Sequence, residues 1–313
     1  MSIQILSPGP LTTVQDLGRY GYMKDGFGAS GVMDARAASI ANLLVGNDRN
    51  SAVLEMTWMG ITAKVMDRAV IAFAGGDFAP KINGVPVPML CALSVLPGDE
   101  ISAGFAVSGC RCYLAVRGGF DVPVVMGSRS TNIKCRLGGF EGRKLAAGDI
   151  LPVIPVSSFS EKELPCRKLS YLPYFEKGRC SVRAVPGPED TRFSADAQHI
   201  FFTEEYTVTP ASDRMGMRLD GAPVLSERGV DIISGGIAAG SVQIPPNGKP
   251  IILLADRQTT GGYAKIATVI TADIPILAQT KPGDKISFIR CSLKEAQNAA
   301  RREEKQLSGI RFR

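Results

Sequence analysis

The segment Leu254-Ala-Asp-Arg-Gln-Thr-Thr-Gly-Gly-Tyr263 gathers a carboxylate, a guanidinium, a side-chain amide and three hydroxyls within ten residues. It follows the apolar run Ile251–Leu254, so a strand would feed a polar loop. Gly261 and Gly262 let a ligand approach the backbone closely. Loops on a rigid scaffold are where binding groups concentrate, and Gln258, Thr259, Thr260 and Tyr263 are the candidate substrate-binding side chains here. The bland alternative is a turn whose side chains satisfy their own backbone. No phosphate-loop or metal consensus matches the segment.

Other glycine-backed segments carry the same texture. In Ala74-Gly-Gly-Asp77 a carboxylate ends a strand-like run, as a ligand-facing group or as an Asx turn. Arg129 in Gly127-Ser-Arg-Ser-Thr131 and Arg214 in Ser212-Asp-Arg-Met-Gly-Met-Arg-Leu219 offer forks for a carboxylate or phosphate. The competing reading for Arg214 is an ion pair with Asp213 or Asp220. Asp34, after Gly28-Ala-Ser-Gly31, caps a helix or helps an anion site at its N-terminus. Asp77 and Asp213 are the candidate proton acceptors, with Arg214 as charge stabiliser. The single histidine, His199, lies outside these motifs, which argues against a histidine-based zinc site and against a serine–histidine–aspartate triad.

Behind these groups stands a chain of 313 residues, 45% hydrophobic, with 34 glycines and 20 prolines. That composition favours many short strands and turns. The net charge of +6 is spread singly, and the charged tail Lys294–Arg313 mixes both signs, unlike a nucleic-acid face. No apolar run reaches the roughly 20 residues of a membrane span, and no secretory signal is visible at Met1-Ser-Ile-Gln-Ile-Leu. Seven scattered cysteines without a CxxC pair indicate reduced thiols, so a cytoplasmic protein is expected. Cys110 and Cys112 would share one strand face as small buried hydrophobes.

Strand-like runs recur at Ile61–Val65, Ala69–Ala74, Cys112–Val116, Ile150–Ile154, Ile251–Leu254, Ile266–Ile270 and Ile286–Arg290. Gly-Asp turns at 98, 148 and 283 each lead into such a run and hint at repeated hairpins. Helical patterns cover Ala35–Val45 behind Asp34, Ala272–Gln279 and Leu293–Gln306. The stretch Pro155–Pro173 reads as a linker, giving two β-rich lobes at 1–160 and 161–313, with no large parallel sheet. The loops carrying Asp77, Arg129, Arg214 and Gln258–Tyr263 are expected to converge on one cleft.

Taken in order, Gly9-Pro-Leu-Thr-Thr-Val-Gln-Asp-Leu-Gly-Arg-Tyr-Gly21, Gly28-Ala-Ser-Gly-Val-Met-Asp34, Ala74–Asp77, Arg117-Gly-Gly-Phe-Asp121, Gly127–Thr131 and Ser212–Leu219 carry a resemblance. The chain resembles the KipA, or allophanate hydrolase subunit 2, family, which is carboxyltransferase-like, from about Ile3 to about Ile289. The resemblance implies a mainly β fold of two cyclophilin-like β-barrel lobes with a few helices. It also implies one component of an ATP-dependent 5-oxoprolinase, inactive alone, working with two partner subunits, one KipI-like and one LamB/YcsF-like. ATP would then sit at the complex rather than on this chain. The alternatives within the family are a biotin-dependent carboxyltransferase component of urea carboxylase type and a KipA-like regulator that binds a KipI-like protein. One departure is Ser234-Gly-Gly-Ile237, where the family pattern has Ser-Glu-Gly.

Overall fold

The computed structural model describes residues 1–156, 168–169, 174–226 and 228–310. It divides into two compact units, Met1–Tyr20 with Ser30–Pro173 and Gly309–Arg313, and Gly21–Ala29 with Tyr174–Ser308. The boundary expected at 160/161 falls among residues outside those described, as do most of the expected linker and Cys166.

In the first unit the strands are β1 (Ser2–Ser7), β2 (Leu11–Gln15), β3 (Val53–Thr57), β4 (Thr62–Val65), β5 (Ala69–Asp77), β6 (Lys81–Ile82), β7 (Val85–Pro86), β8 (Leu93–Val95), β9 (Glu100–Ser102), β10 (Ser108–Val116) and β11 (Ile150–Pro152). One helix, α1 (Ala35–Leu44), interrupts them. They form a six-stranded sheet in the order β11-β1-β4-β9-β6-β7 and a five-stranded sheet in the order β2-β3-β10-β5-β8. Ile3, Ile5, Val65 and Ile101 of the first sheet meet Val14, Leu54, Phe73 and Leu114 of the second in one apolar core. The other face of β5 and β10 is covered by α1, so both strands read as continuous apolar runs rather than alternating ones. Asp34 caps α1 through Oδ1, which accepts the Ala37 N–H at 2.8 Å, and Ala37, Ala38, Ile40, Ala41 and Leu44 form its buried face.

The second unit contains β12 (Arg179–Pro186), α2 (Ala195–Thr203), β13 (Tyr206–Val208), β14 (Gly216–Asp220), β15 (Asp231–Gly236), β16 (Ser241–Gln243), β17 (Ile251–Leu253), β18 (Thr260–Tyr263), β19 (Lys265–Val269), α3 (Ile274–Ala278), β20 (Lys285–Arg290) and α4 (Leu293–Ser308). Seven strands close into a barrel in the order β12-β19-β16-β17-β14-β13-β20, while β15 and β18 pair as a separate ribbon. Within the barrel β12 and β20 run parallel and the other pairs are antiparallel. Phe201 of α2 stacks on Phe288 with ring centroids 4.4 Å apart, which seats that helix against β20. A reciprocal capping box starts α4: Glu295 accepts from the Ser292 N–H and hydroxyl, and Ser292 Oγ accepts from the Glu295 N–H.

The architecture is mainly β with few helices, and the three Gly-Asp turns explain part of its regularity. Gly98, Gly148 and Gly283 adopt φ of 95°, 92° and 92°, a region glycine enters without steric cost. In each turn the aspartate carboxylate accepts a backbone N–H three residues back, from Leu96, Ala146 and Lys281. The glycine N–H and the aspartate C=O then bond to a single residue of the neighbouring strand, Val65, Ile5 and Val208 respectively. One local device therefore launches β9, β11 and β20.

Candidate functional site

In the second unit, β17 ends at Leu253 and the chain turns through Leu254–Arg257. Two backbone bonds pin that turn to the 213–216 loop, from Leu254 N–H to Met215 O and from Asp256 N–H to Arg214 O, each 2.9 Å. The Arg214 guanidinium then forks onto Asp256, with Nε to Oδ2 at 2.8 Å and NH2 to Oδ1 at 3.2 Å. Both side chains are nearly buried, at 7% and 10% exposure. A charge pair at this depth holds loops together as long as both partners remain. The fork is thus made with Asp256, forty-two positions away, rather than with Asp213 or Asp220. Asp213 is exposed and accepts the Met215 and Gly216 N–H groups in an Asx turn, while Asp220 pairs with Lys249. Arg257 is also buried and donates to the carbonyls of Ile237 and Leu254.

The residues that follow are only partly loop. Thr260–Tyr263 form β18, which pairs with β15 so that Gly235 faces Gly261 and Gly236 faces Thr260. The sequence alone assigns Gly261 and Gly262 to a loop because glycine is a poor strand former; the ladder to β15 overrides that preference. Gln258, Thr260 and Tyr263 are exposed, Thr259, Gly261 and Gly262 are partly so, and the Thr259 carbonyl accepts the Ile237 N–H. Beneath this glycine ribbon lie two buried polar side chains that sequence patterning missed, Gln243 and Lys265, which are cross-strand partners. Gln243 Nε2 donates to the Tyr263 carbonyl at 3.3 Å. Lys265 pairs with Glu189, whose Oε2 accepts from Nζ at 3.1 Å and from the Lys265 N–H at 3.0 Å. A Cβ on Gly261 would lie 2.8 Å from Gln243 Nε2 and 3.5 Å from Gln258 Nε2, so the two amides crowd this backbone from different residues. The ribbon and the amides, hydroxyls and cation around it make a surface of donors and acceptors suited to a small, planar, polar ligand.

The remaining expected site residues belong to the first unit. Asp34 is fully buried with its carboxylate committed to the α1 cap, and its own N–H donates to Tyr113 Oη at 2.8 Å. Tyr113 in turn donates to Glu55 Oε2 at 2.8 Å, and that carboxylate oxygen also accepts the Met33 N–H. Burial, reinforced by the negative charges of Glu55 and Asp34, holds the Tyr113 phenol well above its ordinary value. The chain's own groups therefore occupy the helix N-terminus that could have received an anion. Asp77 is the last residue of β5, which runs through Gly75-Gly76 instead of ending at Ala74, and Oδ1 accepts the Ala79 N–H as in an Asx turn.

Arg129 sits in a loop bolted to Asp16, a buried carboxylate absent from the expected site. Asp16 accepts from Ser128 Oγ at 2.7 Å, Ser130 Oγ at 2.5 Å, the Arg129 N–H at 2.6 Å and the Gly18 N–H at 2.9 Å. The Arg129 guanidinium donates to the Val122 carbonyl and lies 3.7 Å from Asp121. The structure thus brings Arg214, Asp213 and Gln258–Tyr263 into one unit, with Asp34, Asp77 and Arg129 in the other.

His199 is exposed on α2. Among the described residues, no three His, Cys, Asp or Glu side chains gather as a metal site would require, and the described cysteines are free thiols. No described helix is long and apolar enough to cross a membrane.

Comparison with known proteins gives this arrangement a lineage. The chain is 37% identical over 311 residues to the C subunit of the Escherichia coli 5-oxoprolinase, covering 99% of this chain and 98% of that protein. It is 36% identical over 313 residues to the same-named protein of Haemophilus influenzae, covering 99% and 97%. The crystal structure of the Kluyveromyces lactis urea amidolyase matches all of this chain with a TM-score of 0.92 at 28% identity, and the match spans 20% of that longer chain. A model of the carboxyltransferase domain, subdomain A and B, matches residues 25–290. With its lobes, its order of motifs and its near full-length relatives in agreement, the chain belongs to the carboxyltransferase-domain family, subdomain A and B.

Proposed function

We propose that this chain is the C subunit of an ATP-dependent 5-oxoprolinase, which opens 5-oxo-L-proline to L-glutamate. The observation that carries the reading is the full-length likeness to two proteins named as that subunit. Amide resonance makes a lactam carbonyl a poor electrophile. Transfer of a phosphoryl group from ATP to its oxygen creates a leaving group, after which water can attack. On this reading the β15–β18 ribbon receives the lactam: Gln258, Thr259, Thr260 and Tyr263 supply paired donors and acceptors, and the backbone at Gly261 and Gly262 lets it approach. The Arg214–Asp256 fork fixes the loop that carries them. A site built for a paired N–H and C=O rejects analogues lacking them, because its own polar groups are then left unpaired.

With no phosphate-loop motif in the sequence, ATP enters as a substrate held with partner subunits, proposed to be KipI-like and LamB/YcsF-like. Asp77 and Asp213 remain the candidate proton acceptors. A cytoplasmic location accompanies this assignment.

The second reading is the carboxyltransferase part of a biotin-dependent, urea carboxylase-type enzyme, favoured by the fold match to the urea amidolyase structure. The same amide-complementary groups suit a ureido ring or urea.

The test is to purify the chain with the subunits encoded beside it and measure ATP-dependent glutamate release from 5-oxoproline. Wild-type complex should turn over, the chain alone should not, and Gln258→Ala should lower kcat/KM by about a hundred- to a thousand-fold. Carboxyl transfer to urea without glutamate release would instead establish the second reading.

A further inference from the structure

The outer face of the six-stranded sheet carries a cross-strand row of three hydroxyls that ends in an ammonium. Thr62 faces Ser102, and Ser102 faces Lys81. Ser7 joins the row through a bulge: the register shifts between Ile5, which faces Ala63 on the core side, and Ser7, which faces Thr62. The extra residue in β1 turns Ser7 outward instead of into the core. With neighbouring strands about 4.8 Å apart, the three hydroxyls follow one another over roughly 10 Å. Among the described residues, none of these four side chains has a hydrogen-bond or ion-pair partner.

The row lines a cavity of about 370 Å³, within the size range of small-molecule sites. Met59 and Phe105, paired across an isolated bridge, line it beside the hydroxyls, and Phe105 is 76% exposed. An aromatic ring left in water next to a polar floor gives a ligand apolar surface to cover. Trp58, next to Met59, and Ala79 of the lining adopt φ of 71° and 46°. Residues with a Cβ enter that region only where the surrounding fold compels them, and such strain gathers at ligand sites. The nearby carboxylates leave Lys81 uncompensated: Asp77 turns back onto the Ala79 N–H, and Glu100 faces Lys64 in the next row.

We propose that this cavity binds a small organic acid with a flat apolar body. Its carboxylate takes donors from Lys81 and from the Thr62 and Ser102 hydroxyls, a charge-assisted set, while its ring lies against Phe105 and Met59. The cavity belongs to the first unit and the β15–β18 ribbon to the second, so this site stands independently of the lactam reading.

Titration calorimetry on the full chain measures the affinity. The emission of Trp58, the single tryptophan, reports the place, since its carbonyl accepts the Ala106 N–H beside Phe105. Three probes are used: benzoate, benzyl alcohol, which lacks the charge, and acetate, which lacks the ring. Wild type should bind benzoate with a saturable change in emission, and the other two about tenfold or more weakly. Lys81→Met should weaken benzoate about tenfold, as expected for loss of a charge-assisted hydrogen bond, and leave benzyl alcohol unchanged. Lys81→Arg should restore part of the loss, and Phe105→Ala should weaken both aromatic probes. Ser102→Phe, which fills the floor with a side chain that suits a strand, should abolish benzoate binding with the melting temperature unchanged. Benzoate binding that is absent in wild type, or unaltered in Ser102→Phe, overturns the site. Equal affinity for benzoate and benzyl alcohol overturns an acid as its ligand. A Trp58 change seen only when partner subunits are added would make this face a subunit contact and overturn the proposal.

Discussion

Truncating Arg214 separates two views of the 213–216 loop. The motif alone casts Arg214 as a charge stabiliser whose loss cripples activity and leaves the fold intact. The bidentate pair with Asp256, nearly buried on both sides, leads to a different expectation. Arg214→Ala strands a carboxylate with little access to water, and breaking a buried pair from one side costs about 3–5 kcal/mol. Asp256→Ala removes the fork from the other side and should also lower stability. Replacing both by apolar residues of like volume, Arg214→Met with Asp256→Leu, should cost far less than the two truncations summed, because neither charge is left behind. Urea unfolding of the four proteins makes the comparison, with the midpoint shift converted through an unchanged slope. Near the melting point the loss corresponds to roughly 6–20 °C at about 2–4 °C per kcal/mol for a fold of this size. Specific activity of the protein that remains folded, in complex with its partners, completes the assay. If Arg214→Ala unfolds at the wild-type midpoint and yet abolishes turnover, the fork is not what the arginine is for, and the structural reasoning is refuted.

Two further outcomes test the first unit. Asp16→Ala removes an acceptor from two seryl hydroxyls and two backbone N–H groups, and should cost about 3–5 kcal/mol in denaturant unfolding; a loss below about 1 kcal/mol would mean the 127–131 loop is held by something else. Tyr113 has a folded pKa raised by burial and by neighbouring carboxylates, so its contribution is full below the unfolded tyrosine value of about 10 and fades as pH rises above it. The stability gap between wild type and Tyr113→Phe should therefore narrow from about pH 10 upward. A gap constant across that range would show that the phenol titrates as it does in the unfolded chain.

Local chemistry makes much of this molecule readable from its residues. The Asp34 cap with its apolar helix stripe, the Ser292–Glu295 start of α4 and the three Gly-Asp turns each act within a few positions, so the sequence carries the whole instruction. The glycine-backed motifs are also enough to place the chain among carboxyltransferase-like proteins. The site needs distance. Asp256 becomes the partner of Arg214 only because β14 and β17 pair, and Thr260–Tyr263 become a strand only because β15 lies beside them. In the sequence Lys265 is a polar residue before an apolar run, yet the fold buries it against Glu189 and beneath Gly235. Asp34 illustrates the reverse, since a residue type that invites chemistry is spent on a cap. Propensity and capping are local free energies that sequence states directly; burial and charge pairing depend on which distant segments the topology brings together, and that is settled only in the folded chain.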